Sequence, residues 1–183
     1  MNKAVFLDRD GTINVEKNYL FRIEDFEFLP KALDGMKMLY DAGYLLIIIT
    51  NQSGIARGYY NEKDYEMLTE YMRQECTDYG VKFADVLCCP HLKGAIVPKY
   101  DKECDCRKPA TGLFKQAVEK YDIDLSESYA IGDKMRDLSI CNETSCRGYL
   151  IRGVAGTESS AKIENVGSLY EAACRIVFKH KEG

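Results

Sequence analysis

Hydrophobic positions in this chain fall into two alternating patterns. The first is a set of short, nearly unbroken apolar runs: Ala4 to Leu7, Tyr44 to Thr50, Ala84 to Cys89, Tyr129 to Gly132 and Tyr149-Leu150-Ile151. Runs of this length without polar alternation predict parallel strands covered on both faces. The second pattern repeats every three or four residues. Leu33, Met36 and Leu39 follow Pro30 and close at Gly43, and Tyr65, Leu68, Tyr71 and Met72 follow Asn61 and close at Gly80. Phe114, Ala117, Val118 and Tyr121 form a third such set, and Leu169, Ala172, Ala173 and Ile176 share one face between Ser168 and Phe178. Proline at the start, an asparagine cap and glycine past the end are the chemistry of helix boundaries. Strands alternating with helices predict an α/β fold, a three-layer Rossmann-like parallel sheet with helices on both faces. Residues 1–183 read as one domain, without repeat, linker or low-complexity block.

The strand ends carry the chemistry. The first run stops at Asp8-Arg9-Asp10-Gly11-Thr12, the second at Thr50-Asn51-Gln52-Ser53-Gly54 and the fourth at Gly132-Asp133. In open α/β sheets ligands bind outside the carboxyl ends of the strands, so one rim would collect all three clusters. Two carboxylates two residues apart can divide the labour, one attacking an electrophile and the other moving a proton to the leaving group.

Composition narrows the classes. With 25 basic and 29 acidic residues the net charge is −4, and the charges form no long like-signed runs, which argues against a nucleic-acid or membrane surface. No apolar run reaches the ~20 residues of a membrane span, and Met1-Asn2-Lys3 leads straight into a strand without a signal peptide. The expected compartment is the cytoplasm, where the eight cysteines are reduced thiols or metal ligands. Cys89-x-His91 and Cys104-x-Cys106 supply three thiols and an imidazole, a usual set for a closed tetrahedral zinc site. Cys88 competes with Cys89 for this role; in an extended segment the two point to opposite faces.

Asp8-x-Asp10-Gly11-Thr12, Thr50-Asn51, Lys108-Pro109 and Gly132-Asp133-x-x-x-Asp137, in that order, resemble the haloacid dehalogenase superfamily of phosphotransferases. The runs Phe6 to Asn14 and Thr50 to Gly58 are similar to those of the D-glycero-D-manno-heptose 1,7-bisphosphate 7-phosphatases. The resemblance implies Asp8 as nucleophile, Asp10 as acid and base, and Thr50 and Lys108 as holders of the transferring phosphoryl group. It also implies a catalytic Mg²⁺ on Asp8, the Asp10 carbonyl and Asp133, and a structural Zn²⁺ on Cys89, His91, Cys104 and Cys106 in a loop spanning about 88–107. Asp137 would orient Lys108 or metal-bound water. Substrate contacts are expected from Glu16, Lys17, Asn18 and Tyr19, from Asn51, Gln52 and Ser53, and from Arg107 and Lys134.

The intervals between motifs leave no room for a cap domain, which implies an open site and a small phosphorylated sugar as substrate. Arg107, Arg57 and Lys17 could meet its remote phosphate. Histidinol phosphate, the substrate of a neighbouring subgroup, is the alternative, with Glu16 available for its ammonium; a zinc-organised binding module without turnover is a reading of another class. Thr111 and Arg152-Gly153 depart from the family pattern. A chain without a cap or an association stripe is expected to be a monomer.

Overall fold

The computed structural model describes residues 1–151 and 161–179. Six strands are present among them: β1 (Ala4–Leu7), β2 (Leu45–Asn51), β3 (Phe83–Cys89), β4 (Tyr129–Gly132), β5 (Arg147–Ile151) and β6 (Ile163–Val166). All pair in parallel, in the order β3-β2-β1-β4-β5-β6. The helices are α1 (Ala32–Asp41), α2 (Ser53–Ala56), α3 (Glu62–Asp78), α4 (Gly112–Tyr121), α5 (Ser139–Glu143) and α6 (Leu169–Lys179).

The unbroken apolar runs are explained by two separate cores. Side chains alternate across a strand, so Val5, Leu7, Leu46 and Ile48 face one layer, where they meet Met36 and Leu39 of α1, Met72 and Cys76 of α3, and Ala172 and Ile176 of α6. Ala4, Phe6, Ile47 and Ile49 face the other, against Phe114 and Ala117 of α4 and Ile140 of α5. The Phe6 and Phe114 rings pack edge to face with centroids 5.3 Å apart. Each buried aliphatic or aromatic side chain contributes roughly 1.5–3 kcal/mol, so β1, without an exposed position, anchors both layers.

Where structure and expectation part, local signals were weak or overridden. The first helix begins at Ala32, two residues after Pro30, because Lys31 adopts a left-handed conformation (φ 58°) at its cap. β5 starts at Arg147, ahead of the apolar core of Tyr149 to Ile151. β6 had no sequence signal: Ile163-Glu164-Asn165-Val166 is an edge strand with half-buried polar residues in its middle. α2 and α5 are single turns too short to show a period. Arg152-Gly153 lies outside the described residues.

The chain leaves β1 for β2 on one side, while β4 lies on the other. The crevice beyond the carboxyl ends of β1 and β4 is thus the switch point of the sheet. A third apolar cluster, Ile55, Ala56, Tyr60, Tyr65 and Tyr100, joins α2 to the 90–106 loop and builds one wall above that crevice.

Candidate active site

Asp8 emerges from β1 and is tied to β4 by its own N–H, which donates to the Ile131 carbonyl at 3.0 Å. Lys108 reaches it from the loop before α4. Its side chain is 1 % exposed, and its ammonium donates to Asp8 Oδ1 at 2.7 Å and the Ile49 carbonyl at 2.6 Å and lies 2.8 Å from Asp137 Oδ1. Asp137 Oδ2 accepts from the Lys134 N–H at 3.0 Å, so both carboxylate oxygens of Asp137 are engaged within the protein. Burial would discharge the Lys108 ammonium, but the charges of Asp8 and Asp137 outweigh it and raise its pKa. Asp8 is pushed up to about 6, first by burial and then by its acidic neighbours Asp137 and Asp10, against the opposing pull of Lys108.

Asp133 stands at the end of β4. Its pKa is raised by burial and by Asp8, and its Oδ1 is buried without a hydrogen-bond partner. Carboxylate oxygens of Asp8, Asp133 and Asp137 lie within 4.8 Å of one another. Crowded, partly desolvated acids with an unpartnered oxygen fit a hard divalent cation, the oxygen-seeking kind that Mg²⁺ represents. Gly11 makes the approach possible: its φ is +84°, and a Cβ there would come within 2.6 Å of Asp133 Oδ2.

Asp10 has a different setting from Asp8. Arg9, 1 % exposed, grips it with a two-nitrogen fork, the shortest contact being Nη2 to Oδ2 at 2.8 Å. Asn14 Nδ2 donates to Oδ1 at 3.0 Å and Gln52 Nε2 to Oδ2 at 3.1 Å. Burial alone would raise the Asp10 pKa; the Arg9 charge and these donors outweigh it and bring it below the usual carboxylate value. Two neighbouring acids are thus driven in opposite directions in the metal-free site, Asp8 toward its protonated form and Asp10 toward the carboxylate.

The second cluster is sulfur-rich. Cys89 Sγ lies 3.6 Å from Cys104 Sγ and 3.2 Å from Cys106 Sγ, and Cys104 and Cys106 are 3.1 Å apart. His91 Nδ1 completes the group at 3.2 Å from Cys106 and 3.7 Å from Cys89. Four soft or borderline donors converging on one point fit a tetrahedral metal ion. Cys89 is the member turned toward this point. Cys88, on the opposite face, packs against the aromatic cluster of Tyr60 and Tyr65.

An open cavity of about 360 Å³ lies beside these groups. Glu16, Asn18, Tyr19, Asn51, Gln52, Ser53, Arg107 and Lys134 of the expected substrate residues line it, together with Asp10. Lys17 is not among the lining residues and pairs with Glu27 at 3.3 Å, beside a turn in which Asn18 and Tyr19 have left-handed φ values of 48° and 64°. Asn51 is also a clamp, exchanging 3.0 Å hydrogen bonds with the Lys108 N–H and carbonyl. The sequence reading missed Tyr60 and Arg136, both of which line the cavity. Arg136 had a signal in its place between Lys134 and Asp137; Tyr60, outside every motif, had none.

A carboxylate pair beyond the first strand, a buried lysine from a later loop and further acids beyond the fourth strand define a haloacid dehalogenase-fold phosphotransferase. A family model described as polynucleotide kinase 3 phosphatase matches residues 3–145. A D-glycero-alpha-D-manno-heptose-1,7-bisphosphate 7-phosphatase of Photorhabdus laumondii is 52% identical over 136 residues, 74% of each chain. A D-glycero-beta-D-manno-heptose-1,7-bisphosphate 7-phosphatase of Haemophilus ducreyi is 47% identical over 137 residues, covering 74% of this chain and 75% of its own. Among solved structures, a D,D-heptose 1,7-bisphosphate phosphatase of B. bronchiseptica with magnesium and phosphate superposes with a TM-score of 0.84 at 26% identity, over 97% of this chain and 99% of its own. The chain belongs to the haloacid dehalogenase-like family of the heptose-1,7-bisphosphate 7-phosphatases.

Proposed function

We propose that this protein hydrolyses the 7-phosphate of D-glycero-D-manno-heptose 1,7-bisphosphate, a step toward nucleotide-activated heptose. The observation that carries the reading is the buried Asp8–Lys108–Asp137 group beside a cavity lined by Arg57, Arg107, Lys134 and Arg136. One end of such a site suits a transferring phosphoryl group, and the other suits a second, remote phosphate. The relatives named for this substrate support the choice over histidinol phosphate.

In this reading an Asp8 carboxylate oxygen attacks phosphorus, and the bond from phosphorus to the sugar oxygen breaks to leave an aspartyl-phosphate. Asp10 gives its proton to the departing oxygen and then takes one from the water that hydrolyses the intermediate. Lys108 and the Thr50 hydroxyl hold the phosphoryl oxygens, with Lys108 also keeping Asp8 aligned. When bound by Asp8, the Asp10 carbonyl and Asp133, Mg²⁺ supplies the positive charge that lets an anionic nucleophile approach a phosphate dianion. Asp137 orients Lys108.

Zn²⁺ on Cys89, His91, Cys104 and Cys106 would hold the loop that ends in Arg107 and Lys108. A metal-tied loop preorganises both side chains, since Cys106 directly precedes them. Arg107, whose Nη1 donates to the His91 carbonyl at 3.2 Å, is the choice for the remote phosphate. The reading has the enzyme acting in the cytoplasm as a monomer on a small sugar phosphate, without nucleic acid or membrane. The acidic balance speaks against a nucleic-acid surface; among the described residues no helix is long and apolar enough to cross a membrane.

The test is phosphate release from both heptose 1,7-bisphosphate anomers and from histidinol phosphate, with Mg²⁺ present, by the natural chain and by Arg107→Gln. The expected result is a heptose bisphosphate preference that Arg107→Gln erodes through KM, by about tenfold or more for a lost charged hydrogen bond. A preference for histidinol phosphate would overturn the substrate reading.

A further inference from the structure

The Gln52 carboxamide is expected from its motif to meet substrate, but its hydrogen-bonding capacity is spent inside the protein. The residue is 3 % exposed. Its Oε1 accepts from the Tyr60 hydroxyl at 2.6 Å and from Arg9 Nη2 at 3.3 Å. Its Nε2 donates to Asp10 Oδ2 at 3.1 Å and to Thr50 Oγ1 at 2.8 Å. The two ends of a carboxamide are nearly equal in shape, and a flipped Gln52 would aim its oxygen at the Asp10 carboxylate. Arg9 forbids this orientation because a guanidinium only donates, and a flip would set donor against donor. The Tyr60 hydroxyl adds the shorter bond to the same oxygen.

Tyr60 is itself held in a built seat. Its ring stacks on Phe21 with centroids 5.4 Å apart and planes at 16°. It also passes over Gly54, where a Cβ would lie 2.1 Å from the tyrosine Cε1. Only glycine at 54 leaves the ring where its hydroxyl reaches Gln52.

We infer that Tyr60 and Arg9 are positioning residues that act through Gln52, fixing the Asp10 carboxyl group and the Thr50 hydroxyl beside Asp8. The inference rests on the proposed role of Asp10 as proton donor to the leaving oxygen. With Gln52 Nε2 donating to Thr50 Oγ1, the threonine hydroxyl proton is free to point at a phosphoryl oxygen. With Gln52 and Arg9 together on Asp10, that carboxyl group cannot rotate without breaking several bonds at once.

The inference has a signature that loss of stability alone would not produce. A sugar alkoxide is a poor leaving group and needs the proton from Asp10, whereas 4-nitrophenolate leaves without one. The experiment compares kcat/KM for heptose 1,7-bisphosphate, or another sugar phosphate the enzyme accepts, with that for 4-nitrophenyl phosphate. It uses Tyr60→Phe, which removes only the hydroxyl, and Gly54→Ala, which displaces the ring. In both variants the sugar-to-aryl ratio of kcat/KM should fall about tenfold, the scale of one lost hydrogen bond expressed only in the step that needs it. An unchanged ratio would overturn the inference, whether the two rates fall together or not at all.

A second measurement does not depend on turnover. In ¹⁵N-labelled protein the Gln52 side-chain amide should exchange slowly with solvent and lose that protection in Tyr60→Phe. Equal protection in both would overturn the inference. If the natural chain rejects heptose bisphosphate but hydrolyses other sugar phosphates, the substrate reading falls while the ratio still tests the positioning role.

Discussion

Lys108→Met is the substitution that asks most of the proposed site. Methionine nearly preserves the length of the lysine but removes the charge between Asp8 and Asp137, whose side chains are 10 % and 2 % exposed. In the natural protein burial pushes the Asp8 pKa up to about 6, from the 3.8 of an unperturbed aspartate. A pKa raised on folding contributes stability below the unfolded value, and this is lost as pH rises through the folded one. For Asp8 the loss over that window is roughly 3 kcal/mol at 1.36 kcal/mol for each unit. Without Lys108, whose charge pulls the Asp8 pKa down, the folded value moves higher still and the loss continues to higher pH.

The variant should therefore be about 3 kcal/mol less stable than the natural chain at pH 8, and by less at pH 5, where Asp8 is protonated and the contacts to Asp137 and the Ile49 carbonyl are the ones lost. That figure agrees with the ~3–5 kcal/mol measured when one partner of a buried ion pair is removed. For a chain of this length it corresponds to a Tm lower by roughly 6–12 °C at pH 8. Differential scanning calorimetry at both pH values, with Mg²⁺ omitted, reads the two numbers. A Tm loss of the same size at pH 5 and pH 8 would mean that Lys108 contributes packing rather than charge, and would refute the electrostatic account.

Two further predictions concern chemistry and metal. Asp8→Asn should abolish turnover, and Thr50→Ala should lower kcat by about 100- to 1,000-fold, the usual cost of one preorganised donor to developing charge; steady-state phosphate release checks both, and near-normal turnover by Asp8→Asn would remove the covalent mechanism. Cys104→Ser, or removal of zinc by a strong chelator, should unfold the 90–106 loop and silence the enzyme through Arg107 and Lys108. Elemental analysis should find one zinc per chain before treatment, and activity should return on adding zinc back; full activity in zinc-free protein would exclude the anchoring role.

Much of this molecule could be read before any coordinates. β1 and β2 are legible because a parallel strand covered on both faces admits no polar alternation, so Ala4 to Leu7 and Tyr44 to Thr50 stand out. The same argument placed Asp8, Thr50 and Asp133 at strand ends, and hence on one rim. The Cys/His cluster was legible because three thiols and an imidazole at close spacing leave a compositional trace, and the structure brings them together. β6 left no trace, since an edge strand needs few buried apolar residues.

The partners of these groups belonged to tertiary structure. That Lys108 lies between Asp8 and Asp137, 100 residues away from the first, follows from how the loop after β3 folds back over the sheet. Lys17 and Asn18 are adjacent in sequence, yet only Asn18 lines the cavity, because the left-handed turn there divides them. Tyr60 lies beside a helix cap and carries no motif, but the absence of a side chain at Gly54 brings its hydroxyl to Gln52. A sequence specifies residue types and local periods directly. Which side chain finishes a hydrogen-bonded network depends on where several distant backbones meet, and that is decided only when they pack.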